Sequence, residues 1–389
     1  MQIGRAASIA LLVISAQALA QGRPASRDVT VKAPDGTVLE ATYYAAAAPG
    51  PAVLLLHMCN TTRKSWEALG PQLAAAGIHA LSVDYRGFGE SGGDRFAALS
   101  PQDAQRALTE KWPGDIDAAY QFLLAQPGVD KARIGAAGGS CGVGQAVSLA
   151  RRHPEVRSLA LLAGPIDPAG LTFITETPGL PIFAAAADDD PYDDSGPEVM
   201  QWLLAISGNM RNTFSGFKDG KHGTEMFGPH PELPRQIVAW YEDTLMKNPG
   251  DPKAAVTVKD SPTREFWRNA ASPDRVPAAV KLFDDTRTNN PRAILFPEAQ
   301  LNLLGYLHLQ AGRTSQAVEL FRLTTVAYPS SANAYDSLGD AYLANGQNEL
   351  ALRSSERALA LLADDRVNDA RRKAIRESAE QKITKLKKD

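Results

Sequence analysis

Short apolar runs alternate with segments of helical spacing through the first two thirds of the chain. Two stretches with alternating apolar and polar positions flank a Pro-Asp-Gly turn, which predicts a two-strand hairpin over residues 28–32 and 38–44. Further strands are predicted over residues 52–56, 80–84, 180–187 and 210–217, and helices over residues 62–75, 115–126 and 234–246. The alternation predicts an α/β domain with a doubly wound, mostly parallel sheet.

A different pattern begins after residue 247. Proline and glycine interrupt the helical spacing, so residues 248–259 are interpreted as a linker. Beyond it, residues align at a distance of 34 positions: Leu304, Gly305, His308, Gly312, Ala317, Phe321 and Pro329 correspond to Leu338, Gly339, Tyr342, Gly346, Ala351, Ser355 and Ala363. The period and the spacing of small and large residues resemble tetratricopeptide repeats, in which small residues let two helices approach closely.

This resemblance implies an all-α domain over residues 260–389. Ala279, Phe283 and Pro291 match the second half of the pattern and indicate an earlier, degenerate unit. Residues 365–389 are predicted to form a charged helix that caps the array. Recruitment of a protein or peptide, self-association and packing on the first domain all remain open for the repeats.

The N-terminus has the pattern of a secretory signal peptide. Over residues 1–20, Arg5 precedes an apolar run that ends in Ala-Leu-Ala, a typical cleavage pattern. The run is too short to span a membrane comfortably, and no later stretch is long enough. We therefore expect a periplasmic or secreted protein whose first domain covers residues 21–247. With 389 residues and a net charge of −3, the chain has room for two domains and no overall field that would attract nucleic acid.

The candidate chemistry centres on residues 134–147, where a strand pattern, a glycine-rich turn and a small-residue helix pattern follow one another. Gly138, Ser140 and Gly142 form the G-x-S-x-G sequence of a nucleophile elbow. The turn holds the serine at a strained backbone angle, so small residues are needed two positions to either side. Free N–H groups at the start of the following helix favour a developing oxyanion. Ser140 is the candidate nucleophile, and the alternative is a turn without chemistry.

Three motifs carry a further resemblance. His57-Met58 follows the third predicted strand, DYRGFGES follows the fourth over residues 84–91, and the elbow at Ser140 follows the fifth. Together they resemble the α/β-hydrolase family, particularly its small members similar to dienelactone hydrolases. The resemblance covers residues 28–247 and implies the α/β-hydrolase fold. This chain has Met58 where the family usually has glycine, and serine where dienelactone hydrolases have a cysteine nucleophile.

The family's chain order places an acid and then a histidine after the serine. The strand over residues 180–187 runs into three aspartates, of which the resemblance favours Asp190; Asp188 stays an alternative, and at least one of the three is a solvated loop residue. His222 follows the last predicted strand and is the candidate general base. His230 is also late enough in the domain, but it lies at the approach to the closing helix.

These residues predict acyl transfer through a Ser–His–Asp triad. His222 would remove the proton from Ser140 as the hydroxyl attacks an ester carbonyl. Asp190 would fix the imidazole tautomer and stabilise the imidazolium, and water would release the acyl group.

Cys59 and Cys141 are the only two cysteines, and both fall at predicted oxyanion positions. The backbone N–H groups of Cys141 and of either Cys59 or Met58 would hold the oxyanion. Since the fold would bring these positions together in an exported protein, a disulfide and a pair of buried thiols are both open.

The sequence therefore predicts an exported serine hydrolase that cleaves small-molecule carboxylic esters and needs no cofactor or metal. A serine peptidase or amidase with the same triad is one alternative. A binding or scaffolding protein that has lost its chemistry is another, supported by Met58 in the oxyanion loop and by Ala187, where glycine usually precedes the acid. Residues 164–180 are predicted to be too short for a folded lid, and residues 92–113 to be an irregular wall of an open site.

Overall fold

The computed structural model describes residues 26–192, 195–365 and 369–387; the expected signal peptide lies outside these ranges. Within them one sheet is formed by β1 (Ser26–Lys32), β2 (Val38–Tyr44), β3 (Gly50–Leu56), β4 (His79–Val83), β5 (Val129–Gly139), β6 (Val156–Leu162), β7 (Ile182–Ala187) and β8 (Thr213–Phe217). The strand order is β1-β2-β4-β3-β5-β6-β7-β8. The hairpin β1–β2 and the pair β2–β4 are antiparallel, and every other pair is parallel.

Helices cover both faces of the sheet. In the first domain they are α1 (Gly70–Ala75), α2 (Pro101–Arg106), α3 (Trp112–Leu124), α4 (Cys141–Arg152), α5 (Pro168–Glu176), α6 (Gly196–Ser207) and α7 (Glu232–Tyr241). On β3, Leu54 and Leu56 pack into the core beneath α3 to α6, whereas Val53 and Leu55 pack into the core beneath α1 and α7. Successive side chains of a strand point to opposite faces, so both must be apolar. The doubly wound, mostly parallel sheet is confirmed.

Three predicted segments differ from the structure. The helix expected over residues 62–75 is divided into a 3-10 turn, Arg63–Trp66, and α1. Pro71 lies in the first turn of α1, where its missing N–H is tolerated, and it cannot continue a helix from upstream. Much of the irregular segment expected over residues 92–113 is helical, because Ser100 caps α2 by accepting a hydrogen bond from the Asp103 N–H (3.1 Å).

The connection over residues 164–180 contains a helix as well. Asp167 caps α5 by accepting a hydrogen bond from the Gly170 N–H at 2.6 Å, and Pro168 occupies the first turn. The pair Asp167-Pro168 is a sequence pattern typical of a helix N-terminus. This helix packs against α4 and α6, with Leu171 and Ile174 buried in the main core.

The C-terminal part of the described chain is helical. It consists of α8 (Pro262–Ala270), α9 (Val276–Asn289), α10 (Glu298–Gln310), α11 (Thr314–Ala327), α12 (Ala332–Ala344), α13 (Asn348–Leu361) and α14 (Asp369–Leu386). The helices α12 and α13 begin and end 34 residues after α10 and α11. The predicted capping helix is α14, and part of its expected range, residues 366–368 and 388–389, lies outside the described residues. No helix in the described ranges is long and apolar enough to cross a membrane.

The helical region shares a core with the sheet domain. Trp202 of α6 packs edge to face on Trp267 of α8, with ring centroids 5.1 Å apart, and its indole N–H donates to the Leu295 carbonyl at 3.0 Å. Arg264, also on α8, is buried and donates to three carbonyls of the sheet domain. The acceptors of these hydrogen bonds are Ile206, Ser207 (2.6 Å) and Thr175 (2.7 Å).

We expect Arg264→Met to lower the free energy of unfolding by about 3 kcal/mol, because it leaves buried carbonyls at the ends of α5 and α6 without donors. Chemical denaturation of the purified protein measures the change. Arg268→Met is the matched control: Arg268 lies on the exposed side of the same helix, and its replacement should change stability by no more than about 0.5 kcal/mol. Equal effects of the two substitutions would show that Arg264 does not hold the two parts together.

Candidate active site

The G-x-S-x-G turn has the geometry of a nucleophile elbow. Ser140 lies between β5 and α4 with φ 53° and ψ −125°, a conformation that L-residues rarely adopt. Its N–H donates to the carbonyls of Leu162 and Ala163, both at 3.0 Å. A Cβ at Gly138 would overlap the carbonyl of Gly142, so the turn can close only with glycine there.

His222 and Asp190 come together at the same edge of the sheet. Asp190 follows β7, and its Oδ2 accepts a hydrogen bond from Nδ1 of His222, which follows β8, at 2.5 Å. Both side chains are buried, each residue being only 6% exposed. A carboxylate bound to Nδ1 fixes the tautomer that leaves Nε2 free to accept a proton.

The His222 loop also lies against the elbow. A side-chain carbon at Gly223, the next residue, would be 3.5 Å from the backbone nitrogen of Ser140. Among the described residues the Ser140 hydroxyl has no hydrogen-bond partner. Hydrogen bonds between catalytic groups are often long in ligand-free enzymes and tighten when substrate binds.

The alternative residues occupy other environments. Asp188 and Asp189 are exposed, and Asp189 accepts a hydrogen bond from the Lys221 N–H at 2.8 Å. His230 stacks on Phe217, with ring centroids 3.9 Å apart, and its Nε2 contacts the Asp219 carbonyl at 2.5 Å. Within the described residues, Asp190 is the aspartate of this loop that is hydrogen-bonded to the His222 imidazole, so the geometry favours Asp190 and His222.

Cys59 and Cys141 form a disulfide, with their Cα atoms 5.8 Å apart. Cys59 lies in the loop after β3 and Cys141 is the first residue of α4, immediately after Ser140. Neither backbone N–H takes part in a hydrogen bond within the described ranges. Two unpaired N–H groups beside the candidate nucleophile match what an oxyanion hole requires.

Met58 packs beneath the site. Its side chain is fully buried and lies against the backbone of Gly139 in the elbow and of Gly223 in the His222 loop. The family's usual glycine is thus replaced by a side chain that fills the space left by two other glycines. This packing role was not expected from the sequence, which placed Met58 among the candidate oxyanion donors and treated it as support for the scaffolding alternative.

His57 holds the same loop from below. Its Nδ1–H donates to the Met58 carbonyl at 2.6 Å, and its Nε2 accepts from the Tyr85 N–H at 3.2 Å. Burial lowers the pKa of His57 to about 4, so the imidazole is neutral near pH 7 and can accept and donate at once.

Tyr192 is a site residue that the sequence analysis missed. Its ring packs edge to face on His222, with centroids 4.9 Å apart, and its hydroxyl accepts a hydrogen bond from Asn60 Nδ2 at 3.3 Å. Its N–H also donates to Asp190 Oδ1 at 2.9 Å. Tyr192 is 67% exposed, so it forms the outer edge of the site. Within the described residues no cluster of His, Cys, Asp and Glu could hold a metal ion.

Part of the first domain is similar to known proteins. Residues 47–187, which include Ser140 but neither Asp190 nor His222, match the family model described as Serine aminopeptidase, S33. An uncharacterized protein of Mycobacterium tuberculosis is 30% identical over 187 residues, covering 48% of this chain and 62% of that protein. A thiohydrolase of Arthrinium phaeospermum is 33% identical over 157 residues, covering 40% of this chain and 47% of that protein. The chain therefore spans less than two thirds of the length of these curated relatives.

Among solved structures, an esterase of Pyrococcus furiosus aligns with a TM-score of 0.46 and 18% identity, over 57% of this chain and 91% of that one. A puromycin-hydrolyzing peptidase of Mycobacterium tuberculosis aligns with a TM-score of 0.45 and 18% identity, over 57% of this chain and 39% of that one. The family match, together with the sheet order and the strand–turn–helix elbow, supports an α/β-hydrolase family for the first domain.

We expect Tyr192→Ala to lower kcat/KM for an acyl substrate by about threefold to tenfold, since an aromatic contact of this kind contributes about 0.5–1.5 kcal/mol. Tyr192→Phe keeps the ring on His222 and removes only the hydroxyl, so it should stay close to the unaltered protein. Steady-state kinetics on the three proteins decide the point. A Tyr192→Ala variant with unchanged kcat/KM would show that the ring does not contribute to the site.

Proposed function

We propose that this protein is an exported serine hydrolase that cleaves carboxylic esters through an acyl-enzyme on Ser140. The observation that carries the proposal is the Asp190–His222 hydrogen bond beside a serine in a strained elbow. The N–H groups of Cys59 and Cys141, which have no hydrogen-bond partner within the described residues, would complete the set of groups that acyl transfer needs.

The proposed reaction has two half-reactions. His222 takes the proton from the Ser140 hydroxyl as the oxygen attacks the ester carbonyl, and the oxyanion is held by the N–H groups of Cys59 and Cys141. The imidazolium, stabilised by Asp190, then protonates the leaving alkoxide. Water, activated by the same imidazole, attacks the acyl-enzyme and releases the acid.

Amides and thioesters are the competing acyl substrates. The matching family is described as serine aminopeptidases and one relative as a thiohydrolase, and both chemistries use the same kind of intermediate. We favour esters because the motifs at His57, Asp84 and Ser140 resemble those of small α/β hydrolases similar to dienelactone hydrolases. A scaffolding role without chemistry is the remaining alternative.

We also propose a periplasmic or secreted location. The proposal rests on the signal-like pattern of residues 1–20 and is supported by the Cys59–Cys141 disulfide, because disulfides persist in oxidising compartments.

For the helical region we propose two tetratricopeptide repeats, α10–α11 and α12–α13. The repeat of helix bounds at 34 residues supports this assignment. A Cβ at Gly305 would lie 2.6 Å from the Phe321 ring, and one at Gly339 would lie 3.0 Å from Ser355 Oγ, so each pair closes on a glycine at the equivalent position.

A degenerate unit precedes them in this proposal. Helix α9 begins and ends 38 residues before α11, and its Ala279 and Phe283 are buried as Ala317 and Phe321 are. The four additional residues lie in the connection between α9 and α10. Repeats of this type offer surfaces for a protein or peptide partner or for self-association.

Ser140→Ala should abolish both labelling by a fluorophosphonate probe and turnover of short-chain esters, because it removes the nucleophile. Mass spectrometry of the labelled protein locates the adduct, and turnover is compared for matched esters, thioesters and peptide amides. Faster turnover of peptide amides would favour the peptidase alternative. A folded protein that neither reacts with the probe nor turns over any of the three would favour the scaffolding alternative.

Asp190→Asn should lower kcat by about a thousandfold to ten-thousandfold, since the amide can no longer hold the required tautomer of His222. Asp188→Asn is the matched control, because that side chain is exposed on the same loop, and its kcat should stay within about threefold of the original. Comparable losses in the two variants would mean that the loop as a whole, and not the Asp190 carboxylate, supports catalysis.

A further inference from the structure

The two N–H groups proposed to hold the oxyanion come from segments far apart in the chain. Cys59 belongs to the loop after β3 and Cys141 to the first turn of α4, a separation of 82 residues. Both residues are partly exposed. The hole exists only while the β3 loop stays in place beside α4.

The Cys141 N–H is held firmly. It follows Ser140, whose own N–H is hydrogen-bonded to the carbonyls of Leu162 and Ala163. The Val143 N–H in turn donates to the Ser140 carbonyl at 2.9 Å. This half of the hole is therefore part of the rigid elbow.

The Cys59 N–H is held differently. Most hydrogen bonds near it stay within its own loop: the Met58 carbonyl accepts from the Thr61 N–H at 3.3 Å and from His57 Nδ1 at 2.6 Å. These bonds, and that between His57 and Tyr85, hold the residues around Cys59, but none of them involves Cys59 itself. On one side of Cys59, the buried side chain of Met58 anchors the chain. On the other side, the side chain of Asn60 donates a hydrogen bond only to the exposed Tyr192 within the described residues.

The disulfide supplies the missing restraint at Cys59 itself. It joins the two residues whose N–H groups form the hole, with their Cα atoms 5.8 Å apart. Sites that stabilise charge must be held within about 0.5 Å of the productive geometry. Loss of one oxyanion donor typically lowers kcat by about a hundredfold to a thousandfold.

We propose that the Cys59–Cys141 disulfide positions the two oxyanion donors, so that hydrolase activity depends on the oxidised state of this pair. The inference rests on the proposed function and adds a regulation of the same site. A dithiol reductant breaks the S–S bond and forms two thiols, supplying two electrons and two protons while it becomes a disulfide itself. The β3 loop then moves relative to Ser140, and the oxyanion loses one of its donors for part of the time.

The test compares full-length oxidised protein, the same protein reduced with dithiothreitol, and the double variant Cys59→Ala, Cys141→Ala, which keeps both backbone N–H groups. All are assayed with a short-chain ester at temperatures where their circular dichroism is native. Reduction and the double substitution should each lower kcat by about tenfold to a hundredfold with KM within about twofold, because donor loss acts on the transition state. Reoxidation should restore the unsubstituted protein only, and the double variant should not respond to dithiothreitol.

A second readout separates positioning from general stability. A trifluoromethyl ketone forms a tetrahedral adduct with the serine and uses the oxyanion hole, so its inhibition constant should rise in parallel with the fall in kcat. A double variant with unchanged kcat and inhibition constant, or a reduced protein with full activity, would overturn the inference while leaving the proposed function intact. Reduced protein that loses its native circular dichroism at every assay temperature would also contradict it, because the bridge would then act on the whole fold. Absence of ester turnover in the oxidised protein would instead count against the proposed function.

Discussion

Backbone atoms pack directly against backbone atoms around Ser140, because glycines occupy the positions where a side chain would intervene. A Cβ at Gly142 would overlap the carbonyl of Leu56 at the end of β3, and one at Gly164 would overlap the carbonyl of Ser140. The C-terminal ends of β3, β5 and β6 are therefore in direct backbone contact around Ser140. The strained φ of Ser140 persists because these contacts leave the chain no other path.

The backbone contacts around Ser140 also determine which loops lie close to its side chain. Parallel strands end at the same edge of a sheet, so the loops after β3, β7 and β8 all approach the elbow. Met58 from the loop after β3 packs against Gly139 of the elbow and against Gly223 of the loop after β8. A bulky side chain at position 58 is compatible with a functional arrangement because glycines stand opposite it. The departure from the usual family glycine is thus no argument, in this structure, against chemistry at Ser140.

Local sequence determined the parts of the site that depend on local backbone. The elbow at Ser140 was predictable from the glycines that its turn requires, whereas His222 was predicted from the family's chain order and from its place after the last predicted strand. Among three consecutive aspartates, only Asp190 is buried against His222, and that distinction depends on a loop 32 residues further along. Tyr192 was not predictable, because its partner Asn60 lies 132 residues away in sequence. Pro71 indicates that a helix begins just before it, but the regular apolar spacing over residues 62–75 favoured the prediction of one continuous helix.

Helix α6 connects the candidate acid with the helical region. A Cβ at Gly196, its first residue, would lie 3.8 Å from Asp190 Oδ2, while the carbonyls of its last residues accept hydrogen bonds from Arg264. Between these ends, Trp202 packs on Trp267 and bonds the Leu295 carbonyl. The packing of α6 on α8 and on the Leu295 backbone opposes rotation of the helical region about the linker. The helix that begins beside the candidate acid therefore ends in the buried hydrogen bonds that join α8 to the sheet domain.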